Sequence, residues 1–161
     1  MKPRHFSLRF SLFGGLLCLL ISLLTLTAPS VLALSGKIRE FAVPTAGSVP
    51  LEITKGPDGA IWFTENAGNQ IGRISRAGKI REYPIPTAGS GPVAITVGPD
   101  GALWFTENSG NNIGRITPTG MHKVVEYLIP TVGSGPVGIT AGPDGTLWFT
   151  EANANQIGQL R

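Results

Sequence analysis

After the first thirty-odd residues, the chain is a series of short apolar runs separated by glycine, proline and asparagine. Residues 60–65 are apolar on both faces, which indicates a strand that is buried on both sides. Residues 79–83 alternate polar and apolar positions, as in a strand with one solvated face. No stretch keeps the 3.6-residue period of a helix, because glycine and proline interrupt the chain too often. The pattern predicts an all-β protein.

One pattern occurs three times with a period of about 42 residues, in residues 36–77, 78–119 and 120–161. Repeats of roughly 40 to 50 residues that are rich in short strands are typical of propeller blades. A four-stranded sheet cannot hide both of its faces alone, so neighbouring sheets stack face to face. The period therefore predicts β-propeller blades, with residues 34–161 as one propeller segment.

Each copy contains four predicted antiparallel strands. In the first copy, residues 51–54 and 60–65 are joined at Gly56-Pro57-Asp58-Gly59, where proline presets φ and glycine accepts a positive φ, as in a hairpin turn. A third strand is expected around Ile71 and an outer strand around Ile80. The order from the axis outward is therefore inner, second, third, outer.

The chain starts and stops at different points of the repeat. Residues 37–43 are predicted to form an outer strand and residues 157–160 a third strand, so that the first and last strands could pair to close a ring. Three blades would have to splay about 120° apart, whereas closed propellers usually have four to eight blades. We favour a chain that is a piece of a longer one. The alternatives are assembly with copies of itself and end blades that stay open.

Residues 1–33 have the composition of a secretory signal peptide. Lys2, Arg4 and Arg9 precede the apolar run of residues 12–26, and small residues lead up to Ala33. We expect a helix that is cleaved after Ala33, with a secreted or periplasmic product that has no membrane contact. A retained membrane anchor is the alternative.

Cleavage after Ala33 changes what charge and cysteine content imply. The formal charge of +3 equals the contribution of the three basic residues in the leader, so ten basic residues balance ten acidic ones in the remainder. We expect no nucleic-acid partner, because no basic stripe remains. The single cysteine, Cys18, and one of the two histidines, His5, lie in the leader, which leaves His122 as the only histidine after it. Disulfides, thiol nucleophiles and ordinary zinc sites are therefore not expected.

The repeat carries the motif Pro-x-x-Ile-Thr-x-Gly-Pro-Asp-Gly-x-Leu-Trp-Phe-Thr-Glu, followed by Asn-x-Ile-Gly-Arg-Ile, across residues 36–161. This motif resembles the repeat of the virginiamycin B lyase (streptogramin lyase) family. The resemblance implies a seven-bladed propeller. It also implies an enzyme that opens the ester-closed ring of type B streptogramins by elimination, with a histidine base and a magnesium ion near the axis.

The resemblance places the base directly after the proline of a blade and a carboxylate at the end of Trp-Phe-Thr-Glu. The hairpin turn would bring these two positions together at one end of the inner strands. The glutamates are present as Glu65, Glu107 and Glu151. The histidine positions hold Leu51, Val93 and Val137, none of which can accept a proton. We therefore assign no catalytic residue and no cofactor-binding residue, and expect magnesium only by resemblance.

The three glutamates have two interpretations. As a ring of carboxylates, Glu65, Glu107 and Glu151 would suit magnesium or calcium, so we name them as candidate metal ligands. A structural role is favoured, because one glutamate recurs in every blade and can accept hydrogen bonds from the N–H groups of the following turn. Glu52 stands where other copies have small residues and is a candidate channel ligand.

Other conspicuous residues are expected to be structural. The repeated tryptophans lie within apolar runs and should pack between blades, and the repeated aspartates belong to the hairpin turns. His122 lies in a two-residue insertion and is interpreted as a solvated loop histidine. The tryptophans are Trp62, Trp104 and Trp148, and the aspartates are Asp58, Asp100 and Asp144.

The missing base favours a secreted or periplasmic propeller that acts as a binding or scaffold module for a small molecule or peptide, without lyase activity. The alternative is a truncated streptogramin B lyase, a magnesium-dependent enzyme of C–O elimination whose histidine lies in further blades. An adhesion or cell-wall module is a third hypothesis. Fold analogy alone does not supply the ligand.

Overall fold

The structure is a computed structural model that describes residues 36–161. All secondary structure in this range is β-strand, and the compact unit that holds it spans Arg39–Arg161. The strands are β1 (Pro50–Lys55), β2 (Ile61–Glu65), β3 (Gln70–Ile74), β4 (Ile80–Pro84), β5 (Pro92–Val97), β6 (Leu103–Glu107), β7 (Asn112–Ile116), β8 (Val124–Leu128), β9 (Pro136–Ala141), β10 (Leu147–Glu151) and β11 (Gln156–Leu160). The predicted signal peptide, residues 1–33, lies outside the described residues. Across residues 36–161, no helix has the length and apolar character needed to cross a membrane.

The strands form three antiparallel sheets in the predicted order. The first sheet is β1-β2-β3-β4, the second is β5-β6-β7-β8, and the third is β9-β10-β11. Consecutive strands pair because each is joined to the next by a short turn. The prediction of all-β, blade-like sheets is confirmed. Within the described residues the sheets do not close into a ring.

The prediction of four strands in every repeat is wrong in one respect. Residues 37–43 form no strand, so the first repeat contains three strands and not four. The third strand predicted at residues 157–160 is confirmed as β11, and the third sheet accordingly has three strands. An outer strand needs a neighbouring edge to receive its hydrogen bonds, and β3 and β7 are already paired with β4 and β8. In the described part of the chain, β3, β7 and β11 are the third strands of their sheets, and of these only β11 has no outer strand beside it.

Each hairpin turn is held by its aspartate. The carboxylate of Asp58 accepts hydrogen bonds from Ala60 N (3.2 Å) and Trp62 Nε1 (3.1 Å), and from Arg73 Nε (2.7 Å). A Cβ atom at Gly56 would lie 2.5 Å from the Trp62 ring, so the turn requires glycine there. Asp100 makes the same contacts in the second sheet. The structural role predicted for these aspartates is confirmed.

Each sheet has a tryptophan face and a phenylalanine face, because adjacent residues of a strand point to opposite sides. The tryptophan face of the first sheet, with Trp62 and Ile71, packs in one cluster with Ile95 and Phe105 on the phenylalanine face of the second. The second junction repeats this arrangement, with Trp104, Ile113, Leu147 and Phe149 in one cluster. The predicted packing of tryptophan between blades is confirmed for Trp62 and Trp104, which are buried.

Polar side chains fix each junction. The Thr64 hydroxyl donates to the carbonyl oxygen of Val93 at 2.8 Å. Asn69 Nδ2 donates to the carbonyl oxygens of Ile85 and Thr87, and Asn69 Oδ1 accepts from the backbone N–H of Ser90 at 2.7 Å. Thr106 and Asn111 make the equivalent bonds at the second junction. Adjacent blades are therefore joined by a fixed set of hydrogen bonds as well as by apolar packing.

The two end faces of the stack have no neighbouring sheet among residues 36–161. On the phenylalanine face of the first sheet, Ile53 is 65% exposed, whereas the equivalent Ile95 is 3% exposed. On the tryptophan face of the third sheet, Trp148 is 37% exposed and Ile157 is 64% exposed. Their equivalents at the first internal junction, Ile95, Trp62 and Ile71, are buried because a second sheet covers them there.

Candidate functional site

A β-bulge shapes the beginning of each inner strand. Pro50 lies opposite Glu65, and Ile53 lies opposite Phe63, so Leu51 and Glu52 together face Thr64. The backbone N–H of Glu52 donates to Thr64 Oγ1 at 3.1 Å, which holds the extra residue in place. The predicted meeting of the position after the proline with the end of the second strand is confirmed.

The same bulge recurs in the other two sheets. Pro92 pairs with Glu107 and Pro136 pairs with Glu151, with the register shifting before the next pair in each case. The positions where the resemblance expects a base therefore occupy equivalent places in all three blades. Their side chains are Leu51, Val93 and Val137.

The repeated glutamates are buried within their own blades. Glu65 and Glu107 are 0% exposed, and Glu151 is 6% exposed. A Cβ atom at Gly72 would lie 2.6 Å from Glu65 Oε1, so the carboxyl group of Glu65 sits over the third strand. The glutamate is thus directed outward into the sheet, although its backbone lies next to the base position.

Each of the first two glutamates shares its pocket with a second carboxylate from the outer strand. Burial raises the pKa of Glu65 to about 7, and the neighbouring Glu82 adds to the rise while Ser48 opposes it. Burial likewise raises the pKa of Glu107 to about 8, with Glu126 adding to the rise. Near neutral pH these buried groups hold a proton for much of the time.

The turn after the second strand does not use the glutamate as its acceptor. The N–H groups of Ala67 and Gly68 donate to the carbonyl oxygen of Ser48, and Asn66 N donates to Val49 O. The predicted hydrogen bonds from this turn to Glu65 are therefore wrong. Backbone carbonyl groups before the inner strand accept the hydrogen bonds of the turn. The carboxyl group of Glu65 lies instead in the pocket that it shares with Glu82.

The described residues contain no cluster of side chains that could bind a metal ion. Within residues 36–161, no group of three or more His, Cys, Asp or Glu side chains is placed to hold an ion. Glu65, Glu107 and Glu151 lie in three different sheets. Burial raises the pKa of Glu65 and of Glu107, which does not fit magnesium, because this ion binds ionised oxygen ligands. Their assignment as metal ligands stays a prediction that this geometry does not favour.

Glu52 is the acidic residue that reaches the surface beside the bulge. Its exposed side chain lines an apolar groove on the phenylalanine face of the first sheet, together with Leu51, Ile53 and Phe63. The groove provides one carboxylate beside apolar side chains. The assignment of Glu52 as a channel ligand stays a prediction.

His122 is part of an aromatic stack at the first junction. Its ring lies 4.8 Å from the Tyr83 ring and 6.1 Å from the Trp62 ring, measured between centroids, and its Nε2 lies 3.1 Å from Pro118 O. His122 lies in a loop as predicted, but the prediction that its side chain is solvated is wrong, because the residue is half-buried. The two-residue insertion, with a φ of 51° at His122, folds the ring back over Tyr83.

Sequence reasoning did not identify the paired carboxylates. Glu65 and Glu82 lie on β2 and β4, which are not adjacent strands, and a pattern along the chain does not show that they meet. Gly72 on β3 lies between them, opposite Phe63 on one side and Glu82 on the other. The recurrence of Glu40, Glu82 and Glu126 at one place in the repeat was a sign that could have been used.

The antiparallel sheets are stacked with their first strands side by side, and each sheet packs its tryptophan face on the next sheet. This arrangement defines a protein built from β-propeller blades. The sequence model of the virginiamycin B lyase family matches residues 30–161. The chain therefore belongs to the virginiamycin B lyase family.

Solved structures of relatives agree with this assignment. A streptogramin B lyase structure is 51% identical to this chain, with a TM-score of 0.72, and the match covers 75% of this chain and 40% of that one. A catalytically inactive His-to-Ala variant of virginiamycin B lyase from Staphylococcus aureus, solved with quinupristin, is 55% identical with a TM-score of 0.76. That match covers 79% of this chain and 43% of that one.

A selenomethionine-substituted virginiamycin B lyase from Staphylococcus aureus is 50% identical, with a TM-score of 0.71 and coverage of 78% of this chain and 45% of that one. This chain thus spans less than half the length of the relatives that it matches. The blades are shared with those lyases, and the described residues correspond to only a part of their chains.

Proposed function

We propose that this chain is a binding module of the virginiamycin B lyase family that does not carry out elimination by itself. The observation that carries the proposal is the set of side chains at the three bulges, which are leucine and valine where the family resemblance expects a base. Elimination requires a group that accepts a proton within hydrogen-bond reach of the substrate carbon. In the Staphylococcus aureus relative, replacing one histidine by alanine gives a protein described as catalytically inactive.

The buried glutamates do not replace the missing base. Glu65 and Glu107 are inaccessible to a ligand in solution, and their raised pKa values keep them partly protonated near pH 7. His122 is stacked on Tyr83 at the outer end of the first junction, whereas the bulges belong to the inner strands. The described blades therefore present apolar side chains and Glu52 at the bulges, which suits binding better than proton transfer.

The ligand that this surface suits is a small molecule or peptide with both apolar and polar parts. Leu51 and Ile53 would contact the apolar part, while the Glu52 carboxylate would accept a hydrogen bond or pair with a cation. Quinupristin is the first probe, because the relative that is 55% identical was solved with it. Magnesium remains a prediction from the resemblance, and binding as proposed does not need it.

We propose that the binding module acts outside the cytoplasm, in the periplasm or the medium, because residues 1–33 have the features of a signal peptide. Intact mass of the exported product gives the test. A product that begins at Leu34 supports this location, and an intracellular product that keeps Met1 contradicts it.

Calorimetric titration of the purified chain with quinupristin tests the binding function. We expect saturable binding that weakens at least tenfold in Leu51→Asp, because a second carboxylate disrupts the apolar side of the groove. Val132→Asp is the matched control, since Val132 is 95% exposed and lies on a loop away from that groove. Absence of binding, or equal weakening by both substitutions, would contradict the proposal.

A second candidate is a streptogramin B lyase of which these blades are one part. The observation that favours it is identity of 50–55% over only 40–45% of the relatives' chains. The genomic sequence that follows the codon of Arg161 gives the test. Further in-frame repeats with histidine directly after a blade proline support the lyase, and a stop codon at that point contradicts it.

A further inference from the structure

Each sheet has two edges at which its strands end, and the turns at these two edges differ. Because consecutive strands are antiparallel, the turn between β1 and β2 lies at the same edge as the turn between β3 and β4. The opposite edge holds the bulges, where β1, β5 and β9 begin, and is the bulge edge. We call the first one the hairpin edge; it comprises residues 55–61, 74–80, 97–103, 116–124 and 141–147.

The hairpin edges of the three sheets lie side by side. Asn66 Nδ2 donates to Pro92 O at 3.1 Å, and Asn108 Nδ2 donates to Pro136 O at 3.1 Å, so hydrogen bonds join the bulge edges of adjacent sheets. The hairpin edges, at the other ends of the same strands, are therefore neighbours as well. They consist of turns, so a further sheet stacked on either end of the described blades would leave them exposed.

The hairpin edge carries a surplus of positive charge. Two of its three aspartates, Asp58 and Asp100, are neutralised by salt bridges to Arg73 at 2.6 Å and to Arg115 at 2.8 Å. These are the salt bridges found among residues 36–161, so the other basic side chains of the edge are exposed without an ion pair. They are Lys55, Arg76, Lys79 and Lys123.

The total charge does not reveal this surplus, because the second strand of each sheet ends in glutamate at the other edge. Glu65, Glu107 and Glu151 each lie opposite the proline that begins the inner strand. Basic and acidic residues are equal in number after residue 33. The unpaired basic side chains collect at the hairpin edge, however, and these glutamates at the bulge edge. The charges are thus segregated along the direction of the strands.

A large apolar side chain is exposed at the same edge as these basic residues. Five residues (75–79) link β3 to β4, whereas seven (117–123) link β7 to β8, and Met121 lies in the longer loop. Met121 is 92% exposed. Gly120 and His122 on either side of it have φ values of 78° and 51°, so the backbone reverses direction around Met121. The insertion therefore presents a methionine to solvent two residues before Lys123.

His122 holds this loop in place. Its ring is stacked on Tyr83 at 4.8 Å between centroids, and its Nε2 lies 3.1 Å from Pro118 O. One residue of the insertion thus packs against the neighbouring blade, while the residue before it faces solvent. A partner at the hairpin edge would meet Met121 in a fixed loop, which has little conformational entropy to lose on binding.

We propose that the hairpin edge is a docking surface for a membrane that contains anionic phospholipids. The basic side chains lie over the lipid phosphates, and Met121 enters the boundary between headgroups and acyl chains. Each lysine or arginine close to such a surface strengthens binding about fivefold. A soluble polyanion would use the charges alone, so the exposed methionine favours the membrane.

Docking through the hairpin edge leaves the bulges on the far side of the blades. Leu51 and Glu52, to which the binding of quinupristin is assigned, lie at the bulge edge and face away from the docked membrane. The two binding events are therefore independent. Residues 1–33 alone predicted no membrane contact after their cleavage, whereas the hairpin edge gives the remaining chain a means of staying at the membrane surface.

Sedimentation of the exported chain with lipid vesicles tests the docking surface. We expect the chain to bind vesicles made of equal parts of phosphatidylcholine and phosphatidylglycerol. It should stay in solution with vesicles of phosphatidylcholine alone, because the attraction requires anionic headgroups. Salt at 1 M, where the Debye length is about 3 Å, should weaken the binding at least tenfold.

Two pairs of variants separate the apolar and the charged contributions. Met121→Gln should weaken vesicle binding about fivefold, because the apolar side chain is lost. Val132→Gln is its matched control and should have no effect, since Val132 is 95% exposed on the loop between β8 and β9 at the bulge edge. Lys123→Glu should weaken binding at least fivefold, whereas Lys123→Arg keeps the charge and should retain binding.

Several results would overturn the docking surface. They are equal binding to neutral and anionic vesicles, no binding to either, and equal effects of Met121→Gln and Val132→Gln. Binding to soluble heparin without binding to vesicles would assign the edge to a polyanion and would likewise overturn the membrane. Leu51→Asp should weaken quinupristin binding and leave vesicle binding unchanged, whereas Lys123→Glu should do the reverse. Failure of the docking surface and failure of the proposed function are therefore distinguishable.

Discussion

Thr106 on β6 joins two blades, because its hydroxyl donates to the carbonyl oxygen of Val137 at 2.7 Å and accepts from the backbone N–H of Ala94 at 3.0 Å. The residue is 0% exposed, so water cannot replace either bond if the hydroxyl is removed. One side chain thus stabilises the bulge of its own sheet and the contact with the next sheet.

Thr106→Val should therefore lower the free energy of unfolding by about 2–4 kcal/mol, since a donor and an acceptor are left buried without partners. Urea denaturation followed by tryptophan fluorescence measures the change. Thr119→Val is the control, because Thr119 is exposed, and it should change stability by less than about 0.5 kcal/mol. Equal effects of the two substitutions would contradict the role assigned to Thr106.

Glycine on the third strand provides the space for the carboxyl pair. A Cβ atom at Gly72 would lie 2.2 Å from the Phe63 ring and 2.6 Å from Glu65 Oε1, both within the blade. Gly72→Ala should therefore cost about 2–3 kcal/mol of stability through overpacking. Gly138→Ala is the matched control in a strand, since its Cβ would lie no closer than 3.4 Å to Thr150 Oγ1. Calorimetric melting of both variants should show a large loss for Gly72→Ala alone.

Stability should decrease as the pH rises from about 4.5 to about 8. The pKa of Glu65 is raised to about 7 and that of Glu107 to about 8, both from the ordinary glutamate value of 4.5. In this window the folded chain binds more protons than the unfolded chain, so raising the pH favours unfolding. The total loss is on the order of a few kcal/mol. Urea midpoints measured from pH 4.5 to pH 9 give the profile.

Glu107→Gln should flatten that profile between about pH 4.5 and about pH 8, because the substituted residue no longer carries the raised pKa. Glu52→Gln is the matched control, since Glu52 is exposed, and it should leave the slope unchanged. A stability that increases with pH in the wild-type chain would contradict the protonated state assigned to the buried glutamates.

The repeat predicted the blades, the hairpin turns and the meeting of residue 51 with the end of the second strand, because each of these depends on residues close along the chain. The pocket shared by Glu65 and Glu82 depends on Gly72 between them, which sequence distance does not show. The position of His122 depends on a positive φ within an insertion. The outer strand expected at residues 37–43 does not form, because β3 and β7 are already paired with β4 and β8.

Ring opening of quinupristin, followed by liquid chromatography, tests the central claim most directly. Elimination changes the retention of the product and leaves its mass unchanged, because no atom is lost when the ester-closed ring opens. With magnesium present and the Staphylococcus aureus lyase as positive control, we predict that this chain binds quinupristin and yields no opened product above the enzyme-free rate. Opened product that accumulates in proportion to the concentration of this chain would contradict the account.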